Sequence, residues 1–303
     1  TTTPYTLFNY ASLAGSVSDL HVTGPLSKSR YTFAFSSANP GTIQLSVGGA
    51  GAANLLWKGD GSANTWDLQG ANNWLNGATP DQFFNLDNVI FDDSGSASPS
   101  VNLVGSLVPG SLTLSNATKS YTFSGAGNLA SGNLTNFGTA TVALSNDNTN
   151  ILNFVDLETG TLVLGGNSAN NLNSVFLNSP AALQIANSNA NTFGLGGLEV
   201  NGGTLTFNQS VDASNAAVIS GFGTVSKENT NTLTLLGDNS GFSSPIVANA
   251  GFIQSGAGGA PFGVGGLTIN SGAALDINSQ NLGAAIVTAT GSGPDGLGAI
   301  VNR

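Results

Sequence analysis

A short pattern recurs along the last two thirds of the chain at a nearly constant interval. Each copy has an alternating apolar strand, a turn of Asn, Gly or Ser, and a second alternating strand, as in LEVNGGTLTF at residues 198–207. The eight copies begin at Leu112, Leu134, Val155, Val175, Leu198, Val218, Ile246 and Leu267. The starting positions therefore increase by 22, 21, 20, 23, 20, 28 and 21. Such an interval is typical of a repeat architecture in which each unit stacks on the next.

Two folds can accommodate one copy of this pattern. The pair Asn201-Gly202 suits the two-residue turn of a β-hairpin, whereas a regular period of about 21 residues favours a solenoid in which each copy is one coil. Alternate residues of a strand point to opposite sides, so we expect Leu205 and Phe207 to face the core and Thr204 and Thr206 to face water. The period favours the solenoid, with Asn side chains stacked in ladders at its corners.

Composition supports strands and excludes several classes of function. Gly accounts for 42 of the 303 residues, and Gly is a poor helix former. The net charge of -10, with only six Lys and Arg residues, lacks the basic stripe that nucleic-acid binding requires. The chain has no Cys, which excludes disulfides and thiolate metal sites.

No stretch approaches the ~18 consecutive apolar residues of a membrane span. The N-terminus lacks the features of a signal peptide, so we expect any signal to have been removed or to lie upstream in a longer precursor.

Residues 55–93 carry the main concentration of chemistry. All three tryptophans and six of the sixteen carboxylates lie there. One interpretation is a glycan-contact site, or a calcium site, in which Trp rings stack on sugars and carboxylates take hydroxyl groups. The other is a junction whose Trp side chains form core and whose Asp residues close turns. The second is favoured because the calcium-loop spacing is absent. The candidate glycan contacts are Trp57, Trp66, Trp74, Asp60 and Asp67.

Catalytic residues are not indicated elsewhere. His21 is the only histidine, which excludes a site built on several histidines. Asp156 and Glu158 share one side of a predicted strand, where they could act as an acid pair but are more simply solvated. Lys58, Lys119 and Lys227 are widely separated in sequence. We therefore predict no enzyme activity, no cofactor and no metal.

The stretch from Gly221 to Gly256 resembles the autotransporter-associated β-strand repeat. Its pattern of G-x-L-x-K, T-L-x-L-x-G-x-N, an aromatic residue and V-x-x-G-x-L is matched here with Phe242 at the aromatic position, which is usually Tyr. The matching positions are Lys227, Thr232, Leu233, Leu235, Gly237, Asn239, Phe242, Val247, Gly251 and Ile253. Residues 55–93 resemble the opening segment of such units, with Trp57, Trp66, Trp74, Asp87 and Phe91 at the expected places. YTLFNYASLAGSVSDL resembles the closing segment of a preceding unit, and GSGPDGLGAIVN an internal boundary.

The resemblance implies a secreted, right-handed parallel β-helix that serves as passenger or surface-display material. We therefore predict an all-β, right-handed β-solenoid with coils of about 21 residues. Residues 1–54 are expected to be an N-terminal strand segment, either the end of a repeat unit or a cap. Residues 55–110 are expected to form a Trp- and Asp-rich junction that continues into the solenoid, and residues 111–303 to form its regular coils. The expected location is extracellular or on a bacterial cell surface.

Two hypotheses for function remain open. The first is a non-enzymatic structural protein, a surface stalk, an adhesin or a self-assembling fibre subunit. The second is a β-helix that binds or cleaves carbohydrate. Expected partners are another copy bound end to end, neighbouring repeat units of a longer chain, or surface glycans. Open coil ends favour strand addition. The predicted donated strand, which could alternatively cap its own solenoid, contains Tyr5, Leu7, Phe8 and Tyr10.

Overall fold

A computed structural model describes residues 3–130, 132–167, 170–188, 196–256 and 259–303. Thr1 and Thr2 of the predicted N-terminal segment thus lie outside the described residues. A three-stranded antiparallel sheet, here called the N-terminal sheet, opens the described chain. Short 3-10 helices at Val17–Asp19 and Gly24–Lys28 lie between its first two strands. The central strand β3 pairs with both β1 and β2. The strands are β1 (Tyr5–Asn9), β2 (Tyr31–Ser36) and β3 (Thr42–Gly49).

The described residues from Asn54 onward form a β-solenoid of about ten turns. Its first strands are β4 (Asn54–Trp57), β5 (Thr65–Trp66), β6 (Trp74–Asn76), β7 (Thr79–Asp81), β8 (Asn88–Phe91), β9 (Ser100–Leu103), β10 (Ser106–Leu107), β11 (Ser111–Leu114), β12 (Thr122–Ser124) and β13 (Asn128–Leu129). The middle strands are β14 (Asn133–Asn136), β15 (Thr141–Leu144), β16 (Ile151–Leu152), β17 (Phe154–Leu157), β18 (Thr161–Leu164), β19 (Asn171–Leu172), β20 (Ser174–Asn178), β21 (Ala182–Ile185) and β22 (Gly197–Phe207). The last strands are β23 (Ala213–Asn215), β24 (Val218–Lys227), β25 (Thr232–Leu235), β26 (Ile246–Ala248), β27 (Gly251–Ser255), β28 (Leu267–Ile269), β29 (Ala273–Asp276), β30 (Val287–Ala289) and β31 (Ile300–Val301).

These strands form three faces, because a strand of one coil pairs in parallel with the matching strand of the next. The first face contains β4, β8, β11, β14, β17, β20 and the N-terminal halves of β22 and β24. The second contains β5, β9, β12, β15, β18, β21, the C-terminal halves of β22 and β24, and then β26, β28 and β30. The third is built from shorter ladders: β10 with β13, β16 with β19, and β23, β25, β27, β29 and β31 in series.

The register of the second face confirms the predicted solenoid and its period. One position of this face is occupied in successive coils by Val101, Phe123, Leu144, Leu164, Ile185, Phe207, Lys227, Ala248, Ile269 and Ala289. Their sequence numbers increase by 20 to 22 from one coil to the next. The one long interval in the sequence pattern has a simple origin. Val218 begins a strand of the first face, whereas Ile246 begins a strand of the second, so that interval compares two different faces.

The segment LEVNGGTLTF is a bent strand rather than a hairpin. Both halves belong to β22, and they pair with two different strands of the preceding coil, β20 and β21. The bend at residues 201–203 turns the chain from the first face to the second. Gly202 has φ +81°, and a Cβ at Gly203 would lie 2.7 Å from Leu177 Cγ, so the bend needs glycine at both positions. Leu205 and Phe207 are buried as predicted.

The core changes in composition along the solenoid. The first coils are filled by aromatic rings, and the middle coils mainly by Leu, Val and Ile. The last coils bury small residues such as Ala248, Ala273 and Ala274, together with the amine-bearing Lys227. A thin core requires dense packing in every coil. The described coils achieve this packing with aromatic residues at the start, larger aliphatic residues in the middle, and small residues with one lysine at the end.

Buried asparagines line one corner of the middle coils, as the sequence pattern predicted. Asn150 donates from Nδ2 to Asn146 Oδ1 at 2.9 Å and to Asn170 Oδ1 at 2.8 Å. All three residues are at most 2% exposed. A second pair links neighbouring coils outside the core, where Asn270 Nδ2 donates to Asn249 Oδ1 at 2.7 Å. The bonds among Asn146, Asn150 and Asn170 satisfy amide groups that the turn would otherwise bury unpaired.

Candidate functional site

The tryptophans of the predicted glycan site form the core of the first coils. Trp57, Trp66 and Trp74 are 0%, 0% and 1% exposed. Trp74 packs edge-on against Trp57 at 4.9 Å and against Trp66 at 5.1 Å between ring centroids. Phe91 lies 5.3 Å from Trp57 and 4.9 Å from Phe123. We call this set, with Phe83, the aromatic cluster. The rings of this cluster are buried against each other. A sugar could therefore stack on them only if the core opened.

The two carboxylates of that predicted site close turns. Asp60 Oδ1 accepts the backbone N–H groups of Ser62 and Asn64, each at 2.8 Å. The Asn64 and Ser62 bonds hold the pKa of Asp60 below its usual value. Asp67 Oδ1 accepts the N–H of Ala71 at 2.7 Å. The three tryptophans thus lie in the core, and the two carboxylates form hydrogen bonds within turns.

Asp93 ties the first coils to the next coil. Its carboxylate accepts the backbone N–H groups of Ala117, Thr118 and Lys119 at 2.9 to 3.2 Å. The bonds from Thr118 and Lys119 lower the pKa of Asp93 to about 2. The Lys119 ammonium donates to the carbonyls of Gly95 and Ser96. These polar groups join consecutive coils.

The outer edge of the first coil is covered from within the chain. β4 pairs in parallel with β8 on one side and antiparallel with β6 on the other, and β6 continues into a hairpin with β7. Asn73 Nδ2 also donates to the carbonyl of Thr65 in β5 at 2.9 Å. An uncovered strand edge invites pairing with another chain, so the hairpin closes this end of the first face.

A buried ion pair attaches the N-terminal sheet to this end. Arg30 Nε donates to Asp87 at 2.8 and 3.0 Å, and Arg30 Nη2 lies 3.0 Å from Asp81 Oδ2. Asp87 is 0% exposed and also accepts the N–H groups of Ala53 and Phe84. Its remaining lone pairs are thereby satisfied, as a buried carboxylate requires. No sequence pattern indicates this pair, because its members are 57 residues apart.

The predicted donated or capping strand lies in the N-terminal sheet. Tyr5, Leu7 and Phe8 are 61%, 40% and 57% exposed. The pairing of β1 with β3 skips one residue between Thr6 and Phe8, so Leu7 is the extra residue of a β-bulge. Tyr10 follows the strand and donates its N–H to the carbonyl of Gly41. β1 pairs with β3 and with no described solenoid strand, so the β6–β7 hairpin covers the first coil instead.

Lys227 occupies a core position on the second face. It is 1% exposed and lies between Phe207 and Ala248 in register. Its Nζ donates to the carbonyls of Glu228, Asn229 and Ala250 at 2.7 to 2.9 Å, and to Asn231 Oδ1 at 3.2 Å. Burial lowers the pKa of Lys227 to about 8, although Glu228 and Asp212 act in the opposite direction. The small neighbour Ala248 leaves room for the amine to reach the corner.

The other ionisable residues singled out in the sequence do not converge. His21 is exposed, and its Nδ1 lies 3.2 Å from the carbonyl oxygen of Asp19. Asp156 lies on the outer side of the first face and accepts a bond from Asn178, while Glu158 is exposed. Among the residues that the structure describes, no group of three or more His, Cys, Asp or Glu side chains could hold a metal ion. The described helices are too short to cross a membrane.

The last two coils present an apolar groove that the sequence analysis missed. The groove has a volume of about 450 Å³. Val264 and Ile286 on its walls are 63% and 65% exposed, whereas Phe262 at its base is 1% exposed. We call it the end groove, and its apolar lining includes Pro261, Phe262, Val264, Leu282, Ala285 and Ile286.

A polar groove lies on the third face. It has a volume of about 370 Å³. Thr234 Oγ1 donates to Gln254 Oε1 at 2.7 Å, and Gln254 Nε2 donates to Asp276 Oδ2 at 2.9 Å. Hydroxyl, amide and carboxylate groups therefore alternate along this face. The residues that line the groove are Asp212, Ala213, Ser214, Thr232, Thr234 and Gln254.

Comparison of the chain with models of protein families, with curated proteins and with solved structures found no match.

Proposed function

We propose that this protein is a non-enzymatic structural component of an extracellular surface, in which the solenoid serves as a stiff stalk. The observation that carries the proposal is the unbroken parallel ladder of the second face, from β5 to β30. At ~4.8 Å per coil this ladder is roughly 50 Å long. Each coil is bonded to both neighbours, so bending requires many hydrogen bonds to distort together.

The surface chemistry supports an extracellular location. The net charge is -10 with six Lys and Arg residues, which keeps a rod with polar faces soluble and separated from other acidic surfaces. The resemblance to autotransporter-associated β-strand repeats supports the same location, on a bacterial cell, and the same passenger-like role. Adhesion would then depend on what the ends or faces of the stalk contact.

Location and shape can be tested separately. Intact cells that produce the protein are treated with a protease that cannot enter them, and released peptides are identified by mass spectrometry. Peptides from residues 55–303 are expected in the released fraction, and their recovery only after lysis would contradict a surface location. Electron microscopy of the purified chain should show rods, whereas compact particles would contradict the stalk.

The polar groove favours glycan binding as a second candidate function. Side-chain hydroxyl, amide and carboxylate groups in a shallow groove match the hydrogen-bonding pattern of a sugar. A glycan array probed with the wild-type chain and with Gln254→Ala tests this candidate. Binding that the variant loses would support it, and the absence of binding by the wild-type chain would remove it. For this second candidate function, the proposed sugar-binding site is the polar groove and not the buried tryptophans.

A further inference from the structure

We propose that the end groove binds strand β1 of a second copy of this chain, so that molecules associate head to tail. The inference rests on the proposed structural role and adds to it the two surfaces that meet. One surface is the exposed apolar side of β1, formed by Tyr5, Leu7 and Phe8. The other is the end groove with the neighbouring strand β30.

The last two coils offer both elements of strand recognition. β30 pairs with β28 alone among the described strands, so its other edge has unpaired backbone groups. The end groove adjoins this edge directly, since Ile286 precedes Val287, the first residue of β30. Added strands obtain their affinity from backbone bonds along an open edge and their specificity from neighbouring pockets.

Strand β1 has the complementary properties. It is an edge strand, because β3 is its single partner among the described residues. All five of its residues are exposed, and none is charged. The bulge at Leu7 places Leu7 and Phe8 next to each other on exposed backbone, so that one short strand offers adjacent apolar anchors. Edge strands of this kind are usually protected by charge or covered.

Charge favours a second copy as the occupant and this orientation. Residues 3–49 carry Lys28 against Asp19, and their Arg30 is paired with Asp81 and Asp87, so the N-terminal sheet is close to neutral while the whole chain carries -10. The end groove has no charged lining residue among those described, but Asp238 lies beside it and accepts the N–H of Ala260. Backbone bonds from Ala260 and Ser240 lower the pKa of Asp238, which keeps it ionised. The N-terminal sheet is therefore the part of a copy that approaches this acidic end without like-charge repulsion.

The positions of the two surfaces determine the form of the assembly. The N-terminal sheet is attached beside the first coil through Arg30 and Asp87, whereas the groove lies on the last two coils. A contact between two different surfaces at opposite ends is heterologous. Each bound copy therefore still has one unoccupied surface at its far end. Each added copy leaves one free β1 and one free groove, so the product is a filament.

Sedimentation velocity over a concentration series tests the proposal with two end variants. The strand variant carries Leu7→Ser and Phe8→Ser, and the groove variant carries Val264→Asp and Ile286→Asp. All four residues are at least 40% exposed, so folding is expected to persist and is checked by thermal unfolding. Phe137→Ser with Phe222→Ser serves as the matched control, because both residues are 57% exposed and lie away from the ends.

We expect the wild-type chain and the control to grow in size with concentration and each end variant to remain monomeric. The concentration for half assembly should rise at least about tenfold in each variant, the effect of losing one good anchor. An equimolar mixture of the two variants should form a dimer and stop there. The mixture retains one intact β1 and one intact groove, on different molecules.

Three results would overturn the proposal. A dimer of the groove variant alone would mean that β1 pairs with β1. A mixture that stays monomeric while the wild-type chain assembles would place the contact elsewhere. A wild-type chain that stays monomeric at every concentration would show that a second copy does not occupy the groove. The last result would not contradict the proposed stalk function, provided that micrographs still show rods and surface proteolysis still releases peptides.

Discussion

The first and last coils of the solenoid solve the same packing problem in opposite ways. The first coils fill the interior with the aromatic cluster, cover the edge of β4 with a hairpin and hold the N-terminal sheet through Asp87. In the last coils Ala273 and Ala274 are buried, β30 pairs with β28 alone among the described strands, and Leu297 is 77% exposed. Neighbouring strands are nevertheless paired in parallel at both ends. A solenoid can thus keep its parallel strand pairing with an aromatic core in its first coils and small core residues in its last described coils.

The largest effect should come from opening the aromatic cluster. Trp66→Ala removes a fully buried ring that contacts Trp74 and Phe83, and we expect a loss of about 3–5 kcal/mol in the free energy of unfolding. Leu297→Ala at the open end should change it by less than about 0.5 kcal/mol. Urea unfolding of both variants measures the difference. Equal losses would contradict the contrast between the two ends.

The next effect compares one ion pair of the first coil, Arg30–Asp87, with the pair Arg303–Asp295 of the last coil. Asp87→Asn leaves the Arg30 guanidinium short of a buried partner, and we expect a loss of about 3 kcal/mol. Asp295→Asn at the last coil breaks a pair with Arg303 whose side chains are 31% and 45% exposed, so the loss should be below about 1 kcal/mol.

Limited proteolysis shows where the Asp87→Asn change acts. Cleavage near residues 50–53, between β3 and β4, should accelerate as the N-terminal sheet detaches. Unchanged cleavage there, together with unchanged stability, would mean that this pair does not hold the sheet.

The third effect is a pH dependence in the later coils, which changes stability only gradually with each pH unit. The pKa of Lys227 is lowered to about 8 from an ordinary value of 10.5, so the unfolded chain holds this proton to higher pH than the folded chain does. The stability of the wild-type chain relative to Lys227→Met should therefore rise with pH between 8 and 10.5. The slope should not exceed about 1.4 kcal/mol per pH unit.

Lys58→Met, at an exposed position, is the matched control for replacing a lysine side chain with methionine. Chemical denaturation at pH 7, 8, 9 and 10 measures both differences. A flat profile for Lys227, or a fall with pH, would mean that the four oxygen acceptors hold the charged form as strongly as water does in the unfolded chain.

The sequence predicted the fold well because the period and the alternation of side chains are local properties of the chain. Leu205 and Phe207 are buried as expected. The pattern did not distinguish the first face from the second, since both use an apolar-x-apolar strand, and this is why the interval from Val218 to Ile246 exceeded the others. Lys227 also shows the limit of alternation, because its inward position is recognisable only from its neighbours in adjacent coils.

The functional surfaces were less accessible to sequence reasoning. The tryptophans were candidates for sugar contacts, but their exposure depends on the hairpin and coils that surround them. The end groove combines residues from successive coils, such as Val264 and Ile286, and none of them has distinctive chemistry. The strand Tyr5–Asn9 was recognised from its apolar, uncharged character, although its partner β3 and its bulge were not.

The first coil is much longer than the others, and this has a consequence for how such a protein can change. The paired neighbours Leu55 and Val89 differ by 34 in sequence number, against 20 to 23 for equivalent pairs in later coils of the same face. The additional residues leave the ladder at a corner, form the β6–β7 hairpin, and return without shifting the register. A corner can therefore accept foreign sequence, such as an epitope or a small folded module, while the coils above and below remain stacked. In this respect the solenoid is a scaffold that accommodates an inserted segment at a corner.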